Sequence, residues 1–284
     1  MTNFTTEIME TLINKGDLAP RPGAFLINHM FSNTVQITDQ KTFNQAEKNV
    51  AKKTDLTYES NYKENTYDIY YPKNSKGPVP VLFWVHGGGF VGGDKSGVKE
   101  FATKLVSDAN IAVVAMNYEL ASDSEYPNQV LQVNELVKDL LAEGDDKLLD
   151  MEQLFFGGDS AGAQITLQYA ALQTNEAYAK QMKIKQVLPK DSLKGTISYC
   201  GPVDLKLTAQ QHSDDRFMKF FVKTVAWSLI GTKDWKTKQL EIVIQEGYIL
   251  LIRHGNIAAI DVYYHCYLRY STKYQILLYL LEYG

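Results

Sequence analysis

Two continuous apolar runs stand out along the chain, Val79 to Val85 (VPVLFWV) and Ile111 to Met116 (IAVVAM). Both are short, bounded by polar or turn residues and rich in β-branched or aromatic side chains. That is the pattern of a strand covered on both faces. Upstream, from Asp55, the extended stretches LTYES and TYDIYYP flank a polar Asn-Tyr-Lys-Glu-Asn turn and predict two further strands. Downstream the pattern alternates. Val98, Phe101, Ala102, Leu105 and Val106 recur at helical spacing, as do Val130, Val133, Val137, Leu140 and Leu141. QLFFGG predicts a strand, Ala161 to Leu172 a helix, and GTISYC (Gly195 to Cys200) another strand. Strands alternating with helices of this length predict right-handed crossovers and a mostly parallel central sheet with helices on both faces, an α/β fold.

Two regions depart from this rhythm. Residues 1 to about 50 carry short helical patterns with a Pro-Gly break at Arg21-Pro22-Gly23, and they do not look able to bury a core alone. Ser213 to Gly231 sets Phe217, Phe220, Phe221, Val225 and Leu229 on one apolar helical face, which reads equally as core packing and as the lining of a pocket. No repeat or low-complexity linker divides the chain, so residues 1–284 read as a single domain.

Composition narrows the function classes. The net charge of -4 and pI near 5.8 offer nothing to attract nucleic acid or an acidic membrane surface. The N-terminus lacks the basic start and continuous apolar core of a signal peptide. No apolar run approaches the ~20 residues that span a bilayer. Cys200 and Cys266 are too few for a disulfide framework. They are read as buried apolar thiols without metal-like or redox-like neighbours, and a reducing, cytoplasmic setting is expected. Neither a cofactor nor a metal is expected.

The chemistry concentrates in two glycine motifs. Gly158-Asp159-Ser160-Ala161-Gly162 fits G-x-S-x-G between a strand and a helix, the context that gives the pattern meaning. A nucleophile on a sharp strand-to-helix turn needs strained dihedrals, and only small residues fit two before and two after it. The same turn aims the Ala161 N–H, at the start of the helix, toward a developing oxyanion. His86-Gly87-Gly88-Gly89-Phe90 directly follows the VPVLFWV strand, where glycines let backbone N–H groups converge on a shared point. The rival is a nucleotide loop. G-x-G-x-x-G does match at Gly87, Gly89 and Gly92, but two strands already precede it, whereas a dinucleotide fold uses its first βα turn. His86 lies inside the loop, and its expected job is to orient that loop by hydrogen bonds.

HGGGF, with Ser160 of GDSAG 74 residues after His86, resembles the hormone-sensitive-lipase-like branch of the α/β-hydrolase carboxylesterases. Asn117-Tyr118-Glu119-Leu120-Ala121 with Tyr126-Pro127, and Gly201-Pro202-Val203-Asp204-Leu205, are similar to further segments of that family. The similarity runs from about Asp55 to about Gly231. It implies an α/β-hydrolase fold with a helical lid, and a cofactor-free carboxylesterase acting on small or medium acyl esters through Ser160. It also implies that Gly88, Gly89 and Ala161 supply the oxyanion hole. Residues 1–53 and about 206–238 would form the lid, residues 54–205 the core and residues 239–284 an atypical tail.

A serine hydroxyl needs a base, and the base a carboxylate. In this fold the order is Ser, then Asp or Glu, then His, on loops after two later strands. The histidines after Ser160 are His212, His254 and His265. His212 precedes the lid helix and reads as a solvated loop residue. His254 follows YILLIR, where the family places its acid, and Gly255-Asn256-Ile257 resembles the family's turn there. Asp261 and His265 come in the right order, yet four residues apart they cannot belong to two separate strand-end loops. The resemblance ends abruptly after about Gln239, and VYYHCYLRYSTKYQILLYLLEYG reads as a frameshifted rather than a diverged C-terminus. The expected function is therefore a serine carboxylesterase. The alternative is a catalytically impaired member of the fold that binds an acyl ligand without hydrolysing it.

Overall fold

The computed structural model describes residues 20–31, 37–143, 147–202, 216–234, 250–253 and 256–259. The N-terminal part contributes helices α1 (Pro20–Phe31) and α2 (Gln40–Ala46). The core comprises β1 (Val50–Thr57), β2 (Thr66–Pro72), β3 (Val79–Val85), α3 (Lys99–Ala109), β4 (Ala112–Met116), α4 (Asn128–Glu143), β5 (Leu149–Asp159), α5 (Ala161–Thr174), α6 (Glu176–Met182) and β6 (Leu193–Tyr199). Helix α7 (Arg216–Ile230) and the short strands β7 (Leu250–Arg253) and β8 (Asn256–Ala259) come last.

A six-stranded sheet in the order β1-β2-β4-β3-β5-β6 carries the fold. β3 pairs in parallel with β4 and β5, and β5 with β6, while β2 runs antiparallel to both β1 and β4. The register levels the strand ends that matter. Val85 lies opposite both Met116 and Gly158, and Asp159 lies opposite Tyr199. The chain therefore leaves β3, β4, β5 and β6 along one edge, the carboxyl edge where open α/β sheets hold their ligands.

Alternation along the strands divides the core into two layers. Leu82 and Trp84 of β3 pack with Ala102, Leu105 and Val106 of α3 on one face. Val81, Phe83 and Val85 pack with Val133 and Val137 of α4 and Ile165 and Tyr169 of α5 on the other. Phe83 and Phe156 stack across neighbouring strands with centroids 5.0 Å apart. Both faces of the parallel strands are covered, as their unbroken apolar runs require.

Three expectations need correction. The first strand is Val50–Thr57, not LTYES, because an edge strand with one wet face buries only alternate residues. Arg21-Pro22-Gly23 does not break a helix but begins one. Pro20 and Pro22 sit in the first turn of α1, where no intrahelical N–H bond is lost, and a Cβ on Gly23 would stand 2.6 Å from Thr224 Cγ2 of α7. Cys200 is exposed, not buried. It directly follows β6, at φ 54, in a bend that leaves the sheet.

Helix α6 has no counterpart among the elements expected from the sequence. The Asn175 side chain caps it, accepting from Tyr178 N at 3.0 Å. The YILLIR strand is present in its last four residues, as β7, which pairs antiparallel with β8 in a separate two-stranded sheet. The rest of the tail beyond Gln239 lies outside the described residues, as do His212 and Cys266. No helix among the described residues is long and apolar enough to cross a membrane.

Candidate active site

Ser160 occupies the single residue between β5 and α5. Its backbone sits at φ 49 and ψ -115, a conformation that a residue with a side chain rarely adopts. Three contacts hold it there. The Ser160 N–H donates to Tyr199 O at 2.7 Å, and the Gln164 N–H closes the first helical turn on Ser160 O at 3.2 Å. The flanking glycines supply the third. A Cβ on Gly158 would stand 2.6 Å from the carbonyl oxygens of Gly162 and Val85, and one on Gly162 would stand 2.7 Å from His86 O. The small residues of the motif are thus required by the backbone of β3, which passes directly behind the turn.

Helix α5 is buried along most of its length. Ala161, Gly162, Ala163, Ile165, Tyr169 and Leu172 are inaccessible, and so are Gln164, Thr166 and Gln168. Those polar side chains are satisfied internally. Thr166 Oγ1 donates to Gly162 O at 2.9 Å, Gln164 Nε2 to Gln168 Oε1 at 3.0 Å, and Gln168 Nε2 to Tyr178 Oη at 2.7 Å and to Tyr126 Oη. A helix buried all round gives the turn at its N-terminus a rigid mount.

The glycine loop after β3 lies against that turn. A Cβ on Gly87 would stand 2.8 Å from Asp159 O, so the two motifs meet through their backbones. Gly88 and Gly89 adopt φ 121 and φ 62, which lets successive amides turn away from the strand direction. The loop closes on itself through Val91 N and Gly92 N, both donating to Gly88 O at 3.2 and 3.0 Å. Helices α1 and α7 lie over it. A Cβ on Gly89 would stand 3.0 Å from Phe221, and one on Gly92 2.9 Å from the Asn28 backbone.

His86 is 4% exposed, and its Nδ1–H donates to Gly87 O at 2.7 Å. Its ring stacks on Tyr118 at 4.4 Å and 16°, and Tyr118 Oη donates to His86 O at 3.2 Å. Burial pushes the imidazole pKa down, outweighing the Gly87 carbonyl and the nearby Asp159 and Asp94 carboxylates, so the ring is held neutral. A cavity of about 650 Å³ opens beside it at the ends of β3 and β4, lined by Asn28, Gly93, Asp94, Asn117 and Glu119 among others.

Ser160, Gly88, Gly89 and Ala161 therefore stand together at the carboxyl edge of the sheet. His254, Asp261 and His265, the candidates for base and acid, lie outside the described residues. Among the described residues no group of His, Cys, Asp and Glu could hold a metal ion. Sequence reasoning assigned no role to Asp94, Lys95 and Asn117, whose side chains interlock beside the loop. Asn117 was visible only as the first residue of a segment shared with the family, with nothing in its spacing to mark a contact.

The sheet order, with the serine turn and the glycine loop at its carboxyl edge, is that of the α/β-hydrolase fold. The sequence profile of the BD-FAE family matches residues 67–255, about two thirds of the chain, and the chain belongs to that family. It is 33% identical over 116 residues to probable carboxylesterase 6 of Arabidopsis thaliana, which covers 36% of this chain and 34% of that one. To an acetyl esterase of Salmonella schwarzengrund (strain CVM19633) it is 27% identical over 109 residues, 38% of this chain and 33% of that one. The crystal structure of esterase B from Lactobacillus rhamnosis superposes with a TM-score of 0.56 at 21% identity, over 63% of this chain and 57% of that one. At that identity the likeness speaks for the fold alone. The chain spans between a third and a half of the length of the curated relatives it matches.

Proposed function

We propose that this chain is a serine carboxylesterase acting on small to medium acyl esters. The observation that carries the reading is the backbone of Ser160, held at φ 49 between a strand end and a buried helix while the glycine loop is packed against it. Strain of this kind, on the order of 1–3 kcal/mol, persists where the surroundings over-determine it, and exposing a nucleophile is a use for it.

In this mechanism Ser160 Oγ attacks the ester carbonyl carbon as a base takes its proton. The carbonyl oxygen becomes an oxyanion that accepts from the Gly88, Gly89 and Ala161 N–H groups. Collapse expels the alcohol and leaves an acyl-enzyme on Ser160, and water then attacks that ester and releases the acid. Each oxyanion donor is worth on the order of 3 kcal/mol of barrier. Helices α1 and α7, which lie against Gly92 and Gly89, act as the cap over the acyl pocket. Support comes from the carboxylesterase and acetyl esterase relatives, whose names describe the same class of reaction.

Hydrolysis of p-nitrophenyl acetate and butyrate by the wild type and by Ser160→Ala tests the proposal. Release that disappears in the variant is expected, together with covalent labelling of Ser160 by a fluorophosphonate. Absence of Ser160-dependent release from folded protein would sink the esterase reading and favour an acyl-binding protein.

A further inference from the structure

The oxyanion loop is held at its far end by a side-chain network that the proposed chemistry does not use. Asn117, the first residue after β4, is 8% exposed, and its side chain faces three partners at once. Its Oδ1 accepts from Lys95 N at 2.7 Å, and its Nδ2 donates to Asp94 Oδ2 at 2.7 Å and to Thr66 Oγ1 at 3.4 Å. Its own N–H donates to Thr66 O at 2.8 Å, tying it to β2. Asp94 Oδ1 accepts from Ser96 N at 2.8 Å. Lys95 turns inward, with Nζ 2.6 Å from Asp68 Oδ1 and 2.7 Å from Asp55 Oδ1, and Asp68 is itself 5% exposed.

Charge depends on these contacts. Burial acts to raise the Asp94 carboxyl, but the hydrogen bonds from Ser96 and Asn117 outweigh it and hold its pKa below the usual range. Burial acts to lower the Lys95 ammonium, and the Asp55 and Asp68 carboxylates outweigh it and raise its pKa. Both groups stay ionised, and Lys95 cannot leave Asp68 without stranding a buried charge.

From Asp94 the restraint passes back into the loop. Gly93, at φ 94, lies so close to His86 that a Cβ on it would stand 2.6 Å from Nδ1. Next to it, Gly92 N and Val91 N fix Gly88 O. The chain after Asn117 grips the near end, with Tyr118 Oη on His86 O and Ala121 N on Phe90 O at 2.9 Å.

We propose that Asn117 is a positioning residue for the oxyanion hole, setting the Gly88 and Gly89 amides through its paired contacts with Asp94 and Lys95. This rests on the serine-esterase reading. An asparagine is needed because the site demands one acceptor, for Lys95 N, and one donor, for Asp94. Aspartate has the shape but not the donor, and leucine has neither. Displacing the loop by a fraction of an ångström takes its amides off the oxyanion, and errors near 1 Å cost about 10²-fold in rate.

The test exchanges donor and acceptor. Asn117→Asp and Asp94→Asn each break the one contact, from opposite sides, and either serves should the other fail to fold. The double variant restores it, with Asn at 94 donating to Asp at 117 while its oxygen still accepts from Ser96 N. Two readouts are measured, deuterium uptake of the peptide spanning residues 86–93 and the steady-state kinetics of p-nitrophenyl acetate. Each single variant is expected to speed loop exchange at least about tenfold and to lower kcat by about 10–100-fold, with KM within about twofold. The double variant recovers both. Wild-type exchange and kcat in the singles, exchange that rises with kcat unmoved, or a double no better than either single would each overturn the proposal. A wild type without Ser160-dependent turnover refutes the esterase reading instead. Loop exchange then still decides whether Asn117 sets the loop.

Discussion

Gly162 and Val85 meet backbone to backbone, close enough that a Cβ added to the glycine would stand 2.6 Å from the Val85 carbonyl carbon. The neighbour is main chain of a central strand and cannot swing aside, so an added methyl has to move either β3 or the serine turn. Gly162→Ala is expected to cost about 2–3 kcal/mol of stability, in the range of severe overpacking. Gly97→Ala provides the contrast, because nothing lies within 4 Å of the Cβ it would add, and it should stay within about 0.5 kcal/mol of wild type. Urea unfolding of both variants checks the pair. Equal stabilities would mean that the turn relaxes freely.

The strain at Ser160 has its own signature. Ser160→Ala keeps a side chain at φ 49, whereas Ser160→Gly removes the penalty. Glycine also gives the unfolded chain more freedom, which offsets about 0.4–1 kcal/mol of the gain. Relief of about 1–3 kcal/mol exceeds that offset, so Ser160→Gly should be more stable than Ser160→Ala by about 1 kcal/mol. Denaturant midpoints of the two variants measure it, and an alanine variant at least as stable as the glycine one would contradict it.

His86 makes the fold sensitive to mild acid. Its folded pKa lies below the unfolded value of 6.5 because burial penalises the imidazolium. The unfolded chain therefore binds the extra proton first. The stabilising effect is fully present above pH 6.5 and is lost as pH falls from there toward the folded pKa. Replacing His86 with Gln should flatten the stability profile between about pH 7.5 and 5.5. Parallel slopes for wild type and variant would show that His86 does not carry the effect.

Glu100 acts in a lower window. It accepts from Thr38 N at 2.7 Å, from Thr38 Oγ1 at 2.9 Å and from Asp39 N at 3.2 Å, and it pairs with Lys104. Partial burial acts to raise its pKa, but these bonds outweigh that and bring it from 4.5 to about 2. Its contribution is present above pH 4.5 and fades as pH falls toward 2. Glu100→Gln should be the weaker protein at neutral pH, with the gap narrowing between about pH 4.5 and 3. A gap that is constant with pH would point to lost packing instead.

How much the chain disclosed depended on where each residue's constraint originates. β3 was legible end to end because a strand covered on both faces must be apolar throughout, and β1 was not, because a sheet edge imposes only half of that demand. The two prolines opening α1 looked like a break, since a helix's first turn differs from a loop only in the helical residues after it. Gly23 is there for Thr224, about two hundred residues away. Ser160, Gly88 and Gly89 were legible because backbone geometry dictates residue type at fixed offsets. Asn117 was not. Its meaning lies in matching one donor and one acceptor to Asp94 and Lys95, which only the pairing of β3 with β4 brings alongside. The exposed Cys200 shows the same limit, since the turn after β6 rather than residue chemistry decides its exposure.

The burial of α5 on every side has a kinetic consequence. A surface helix can fray while its domain stays folded, but α5 has no wet face from Ala161 to Ala170, and only its far end, at Ala171, Gln173 and Thr174, meets solvent. Opening at Ala161 and Gly162 requires the sheet and α4 to separate from it, which is global unfolding. The Ser160 turn has no private, low-cost route to disorder. Loss of its geometry on heating should therefore run at the same rate as loss of the fold, one barrier and one half-life for both.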